Sequence, residues 1–245
     1  MSEHAINRTR LIETFLTLLA INAPSRREGA IAKHLRTVLE ELGLTVCVDD
    51  AGEHLGGETG NLIARLPGNI DAPPLLFCAH IDTVAPTEGL HVQRGNGEIR
   101  SDGATILGAD DRAGVAAILE MLRALLESGA RRPPLEIVFT VAEEIGVMGS
   151  MLLDYAQLTA RYGFVPDTSG PVGIIVTRAP AQRHLHITIH GKAAHAGMTP
   201  EHGISAITVA ARAIARMEQG RIDEETTANI GIMHGGKATN IVPEL

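Results

Sequence analysis

The chain has 245 residues, 44% of them hydrophobic, enough to build a core in one large domain or two modest ones. Its 29 acidic against 21 basic residues give a formal charge of -8 with no basic stripe, which argues against nucleic acid and anionic membrane as partners. No run approaches a membrane span, and the N-terminal apolar stretch carries Glu13, which a signal peptide's core would not, so a cytoplasmic setting is expected.

Helical and strand patterns alternate over the first 180 residues, as in an α/β layered fold. Leu11, Ile12, Phe15, Leu16 and Leu19 recur at helical spacing and predict a first helix. Ser25 and Glu28 have the spacing of a capping box, predicting a second helix to about Leu42. The runs LTVCV, NLIARL and LLFCAHI predict strands, with Cys47 and Cys78 as reduced core residues rather than members of a disulfide framework. Val115, Ile118, Leu119, Leu122, Leu125 and Leu126 share one face of a helix over 112–128 that should pack on the sheet. Pro133-Pro134 separates it from the strand LEIVFTV, and GIIVTR reads as a further strand closing this region.

From about Ala181 the pattern changes. RHLHITIHG alternates between apolar and polar positions and predicts an antiparallel strand with one wet face. A helix over ISAITVAARAIARM and a strand over TTANIGIM complete half of a small α+β unit. The expected division is therefore 1–180 and 181–245. Residues 231–237 imitate a phosphate-binding loop, but Ala238 replaces the hydroxyl residue that would hold magnesium, and Pro243 opposes the helix that should follow.

Four acidic or histidine clusters fall where strands should end, the place where ligands gather in α/β sheets. His80 and Asp82 leave their strand on the same side, so the carboxylate can hold the imidazole's other nitrogen; a core histidine beside a turn aspartate would look the same. Asp110-Asp111 head a helix after Gly108-Ala109: one aspartate suffices as a cap, leaving the other to point elsewhere. Glu143-Glu144 directly follow a very apolar strand, where two carboxylates repel unless a cation or proton joins them or a surface loop keeps them in water. Asp167 in GFVPDTSGP is by itself an ordinary turn residue. One histidine, several carboxylates and no cysteine ligand make a donor set suited to zinc, cobalt or manganese.

His80-x-Asp82, Gly108-Ala109-Asp110-Asp111-Arg112, Ala142-Glu143-Glu144-x-Gly146 and the segment from Gly163 to Asp167 are similar, in order and spacing, to the metal-site motifs of the co-catalytic zinc exopeptidases. That family includes peptidase T, bacterial glutamate carboxypeptidases, aminoacylase and succinyl-diaminopimelate desuccinylase. Residues 191–197 and 239–243 resemble the two signatures of its lid, or dimerisation, domain, and GADDRAG and EEIGVMGS resemble the peptidase T-like branch.

The resemblance implies a mixed-sheet catalytic domain with an inserted α+β lid, and hydrolysis of amide bonds in short peptides, as by a tripeptidase or aminopeptidase. It implies a homodimer formed through the lid. His80, Asp110 and Asp167 would bind one zinc; Asp110 would bridge to a second, with Glu144 on that side. Glu143 would be the general base and Asp82 the partner of His80, while His195 would help polarise the scissile carbonyl in the partner subunit's active site and Asn240 would lie near the substrate. Family members continue past the lid to supply a final histidine to the second metal, a position expected beyond Leu245, so both domains are expected to be incomplete here and the second metal weakly held. Two other readings stand beside this one: a truncated, non-catalytic metal-binding product, and an aminoacylase or deacylase acting on the same kind of bond.

Overall fold

Two helices, a five-stranded sheet and a long third helix account for most of the core, in a computed structural model that describes residues 6–179 and 181–245. The chain falls into two compact units with the boundary between Val172 and Gly173, earlier than the sequence pattern places it.

In the first unit, α1 (Arg8–Leu19) starts at Asn7, whose side chain accepts the Arg10 amide as an N-cap. After it come α2 (Gly29–Glu41), β1 (Thr45–Val48), α3 (Ala51–Leu55), β2 (Leu62–Leu66) and β3 (Leu75–His80). A hairpin of β4 (Val92–Gly95) and β5 (Glu98–Ser101) precedes α4 (Ala109–Ser128), β6 (Leu135–Thr140), α5 (Met148–Leu152) and β7 (Tyr162–Phe164).

The sheet order is β1-β2-β6-β3-β7. β2 pairs antiparallel with both β1 and β6, whereas β3 lies parallel between β6 and β7. Every residue of β6 is buried, so the central strand is covered on both faces and reads as an unbroken apolar run instead of an alternation. Phe77 of β3 and Phe164 of β7 stack with ring centroids 5.5 Å apart. Val115, Ile118, Leu119 and Leu122 of α4 join Leu18, Ile31, Leu35 and Leu39 of the first two helices and Ile137 and Phe139 of β6 in one core. Arg10 of α1 grips the buried carboxylate of Glu120 on α4 through Nε at 2.7 Å, and Glu127 also pairs with it.

Two local expectations are corrected, and one element was not foreseen. Ser25 and Glu28 do not form a capping box: α2 starts after Glu28 with no side-chain cap bond, because the Ser25 hydroxyl donates to Asp82 at 2.6 Å and Glu28 accepts the Arg26 amide. Cys47 is exposed, since β1 is an edge strand with one open face; Cys78 is half-buried, and burial pushes its thiol up to about 12. The β4–β5 hairpin was missed although Asn96-Gly97 at its tip, both at positive φ, is a strong two-residue hairpin signal.

In the second unit, β8 (Ala194–His195) pairs antiparallel with β11 (Ile241–Val242), and β9 (Gly220–Arg221) with β10 (Thr227–Ala228). The helix α6 (Ala206–Ile214) is N-capped by Ser205, whose hydroxyl oxygen accepts the Thr208 amide. The strands expected over 173–178 and 183–191 are not formed, and only Thr227-Ala228 of TTANIGIM is strand. Alternation selects which side chains would share a face, but a strand also needs a ladder partner, and none pairs with these segments among the described residues. Lys237 pairs with Glu244 at 2.9 Å and no helix follows it, as expected for a segment that only imitates a phosphate-binding loop. Among the described residues, no helix is long and apolar enough to cross a membrane.

Candidate active site

The carboxyl ends of three adjacent parallel strands converge on one place. His80 ends β3, Glu143 and Glu144 follow β6, and Asp167 lies just beyond β7. Asp110 comes from the head of α4. There Gly108 takes φ 73 with the methyls of Thr87 and Thr83 only 3.1 and 3.2 Å from where a Cβ would stand. A side chain at that position would have both an unfavourable backbone and no room.

The two aspartates of the helix head divide as the spacing suggested. Asp111 turns inward, is buried, and accepts the Gly114 amide at 3.1 Å, doing the capping. Asp110 is largely exposed and brings its Oδ1 to 3.0 Å from His80 Nε2. Burial, with the Asp167 charge added, pushes the Asp111 carboxyl up to about 8.

His80 is buried, with Nδ1 3.1 Å from the Asp82 carbonyl oxygen and 3.3 Å from the Asp82 carboxylate. That leaves Nε2 directed at Asp110. Asp82 is fully buried and accepts from the Ser25 hydroxyl and from the amides of Glu143 and Glu144 at 3.0 and 3.2 Å. Burial alone would raise its pKa, but His80, Ser25 and the two amides outweigh it and hold Asp82 below the usual carboxylate range. One carboxylate therefore orients the histidine and anchors the glutamate pair together, and Ser25 is a supporting residue the sequence reading assigned elsewhere.

Two groups of potential ligand atoms form, each with its atoms within 4.8 Å of one another: His80 with Asp110 and Asp167, and His80 with Glu143 and Glu144. Glu144 thus gathers with Glu143 and His80, and Asp110 with Asp167. Burial drives the carboxyls of Glu143, Glu144 and Asp167 upward; nearby carboxylates add to it, and His80 partly offsets it. For His80 burial opposes the charged form, yet Asp82, Asp110 and Asp167 push it up to about 10. No lysine or arginine pairs with these carboxylates among the described residues. The cluster has an excess of oxygen donors and too little positive charge, a donor set that fits a divalent cation.

The lid residues are also brought together. His195 and Ile241 are register partners on β8 and β11, and the carbonyl of Asn240 accepts the Ala196 amide at 2.9 Å. The ring of His195 accepts the amides of Gly197 and Met198 at Nδ1, at 3.2 and 3.1 Å, which assigns its hydrogen to Nε2.

With this geometry in view, residues 61–165 match the family model described as peptidase family M28, and residues 182–245 match the peptidase dimerisation domain. The chain is 45% identical over 237 residues to the uncharacterized protein YqjE of Bacillus subtilis, covering 97% of this chain and 64% of that one. It superposes with a TM-score of 0.86, at 44% identity, on the crystal structure of aminopeptidase PepT from Bacillus cereus, covering 98% of this chain and 64% of that one. A tripeptidase from Staphylococcus aureus superposes with a TM-score of 0.85 at 42% identity, again covering 98% of this chain and 64% of its own. The chain spans just under two thirds of the length of these relatives.

Proposed function

We propose, on the premise that this is a peptidase T-like chain of the co-catalytic zinc exopeptidase kind, that the protein to which it belongs hydrolyses a terminal amide bond of short peptides. The observation that carries this reading is the convergence of one histidine and four carboxylates, Asp110 at the head of α4 and Glu143, Glu144 and Asp167 beyond strand ends, with no basic side chain paired to them among the described residues.

In this reading His80, Asp110 and Asp167 would hold one zinc, while Asp110 and Glu144 would serve a second. Zinc held there supplies Lewis-acid polarisation and a water that gives up its proton near neutral pH; cobalt or manganese suits the same donors. Glu143 would act as the general base, taking a proton from the attacking water and passing one to the leaving amine, a role favoured by a carboxyl pushed above its ordinary value by burial. Asp82 stays anionic, keeps His80 turned with Nε2 toward Asp110, and holds the backbone from which Glu143 projects. His195, with hydrogen on Nε2, would donate to the scissile carbonyl in the partner subunit's active site, and Asn240 would lie near the substrate. The match to the peptidase dimerisation domain supports a homodimer joined through residues 182–245.

The test is hydrolysis of a tripeptide by the protein before and after removal of metal with a chelator, with metal content measured in parallel. Turnover that disappears with the metal and returns with zinc, cobalt or manganese is expected. A protein that binds none of these and cleaves no peptide would sink the proposal.

A further inference from the structure

The backbone that carries Glu143 and Glu144 leaves the sheet at Thr140, where ladder bonding ends, and its next four amides each find a buried side-chain acceptor. The Val141 amide donates to Asn61 Oδ1 at 3.0 Å, the Ala142 amide to Glu28 Oε1 at 3.0 Å, and the Glu143 and Glu144 amides to the two oxygens of Asp82. These acceptors come from the residue before β2, the residue before α2 and the second residue after β3, and all three are fully buried. The carbonyls on the same stretch are also taken: Val141 accepts from Gly149, Ala142 from Met148, and Glu143 from Gly146 and Val147. Ala142 sits at φ 52, in the left-handed region that disfavours a side chain, and a non-glycine residue persists there only where its surroundings over-determine it.

We propose that Glu28 is a positioning residue for the glutamate pair. Its carboxyl holds Ala142 in the left-handed turn that redirects the chain out of β6, and so aims the side chains of Glu143 and Glu144 at His80. Asn61 and Asp82 secure the amides on either side, and of these three acceptors Glu28 is the one that takes the amide of the residue making the turn. The bond that matters is accepted by Oε1, which also takes the Arg26 amide; Oε2 is buried and has no partner among the described residues. The role therefore needs an acceptor oxygen at this reach, and a glutamine can supply it. This inference rests on the peptidase reading only for what the two glutamates do.

The experiment compares Glu28→Ala, Glu28→Gln and wild type as purified zinc-loaded proteins. It reads amide hydrogen exchange at Ala142, zinc stoichiometry, and kcat and KM on a tripeptide. Glu28→Ala is expected to speed exchange at Ala142 by about a hundredfold or more and to lower kcat by about thirty- to a hundredfold, with KM within about threefold. Glu28→Gln is expected to restore both to within about threefold of wild type. If Glu28→Ala does not fold, Glu28→Asp, which withdraws the acceptor by one methylene, should show the same two losses. Wild-type exchange at Ala142 in the alanine variant, or in the aspartate variant where that replaces it, would overturn the proposal, as would a glutamine variant as impaired as the alanine one. A wild-type protein that cleaves no peptide would remove the functional reading alone, and exchange at Ala142 would still decide the role of Glu28.

Discussion

Glu143 and Glu144 are neighbours in sequence and differ in what their backbone and surroundings ask of them. Replacing Glu143 with alanine should lower kcat by a factor of about a hundred to ten thousand while zinc content stays near that of wild type, because a general base handles the proton without holding the ion. Loss of the metal along with activity would instead exchange the roles of the two glutamates. In the proposed assignment His80 serves one zinc together with Asp110 and Asp167, so His80→Ala should empty that site, as read by metal analysis after dialysis, with the sheet intact by circular dichroism. Retention of that metal by the variant would remove His80 from the ligand set. Glu143 and Glu144 stood out in the sequence because two carboxylates after an apolar strand are costly, whereas Asp167 reads alone as a turn residue and was singled out only by the family resemblance. Ser25 and Glu28 were misassigned for a physical reason: their three-residue spacing satisfies a local capping rule, whereas their partners, Asp82 and Ala142, are long-range and leave no local pattern.

Among the elements, α1, α2, α4 and the strands around β6 were legible because each buries a face whose period is written in the residue types. The five-residue helices α3 and α5 are too short to show a period, and the segments over 173–178 and 183–191 have strand-like composition without a ladder partner. β6 also supplies a pH-dependent tie. Burial would raise the pKa of Glu136, but the amides of Ala160 and Thr159 and the Thr159 hydroxyl outweigh it and hold the carboxyl below its ordinary value. A depressed folded-state pKa adds stability that is complete above the unfolded value and lost as the pH falls through the folded one. Urea unfolding of wild type and Glu136→Gln should therefore differ at pH 7 and converge as the pH drops below about 4.5, the ordinary glutamate value. An equal difference at both ends would show that the glutamine acts through packing instead.

At the scale of the whole molecule, every residue of the two ligand groups lies in the first unit, which also contains the main core. Residues 1–172 alone should therefore fold and bind zinc with an affinity within about tenfold of the longer protein, while losing His195, Asn240 and the segment that matches the dimerisation domain. Isothermal titration and sedimentation of the two forms check both statements, and a first unit that binds no zinc would contradict them. Within that unit Asp167 hangs from β7, an edge strand of three exposed residues joined to the sheet on one side only. Short, solvated edges open at small free-energy cost, far more often than the buried strands beside them. An ion held through Asp167 would thus act as a clasp on an exposed edge strand of the sheet. Each time β7 peeled away a ligand would leave with it, so the speed at which a chelator strips the protein would become a clock for the peeling of that strand.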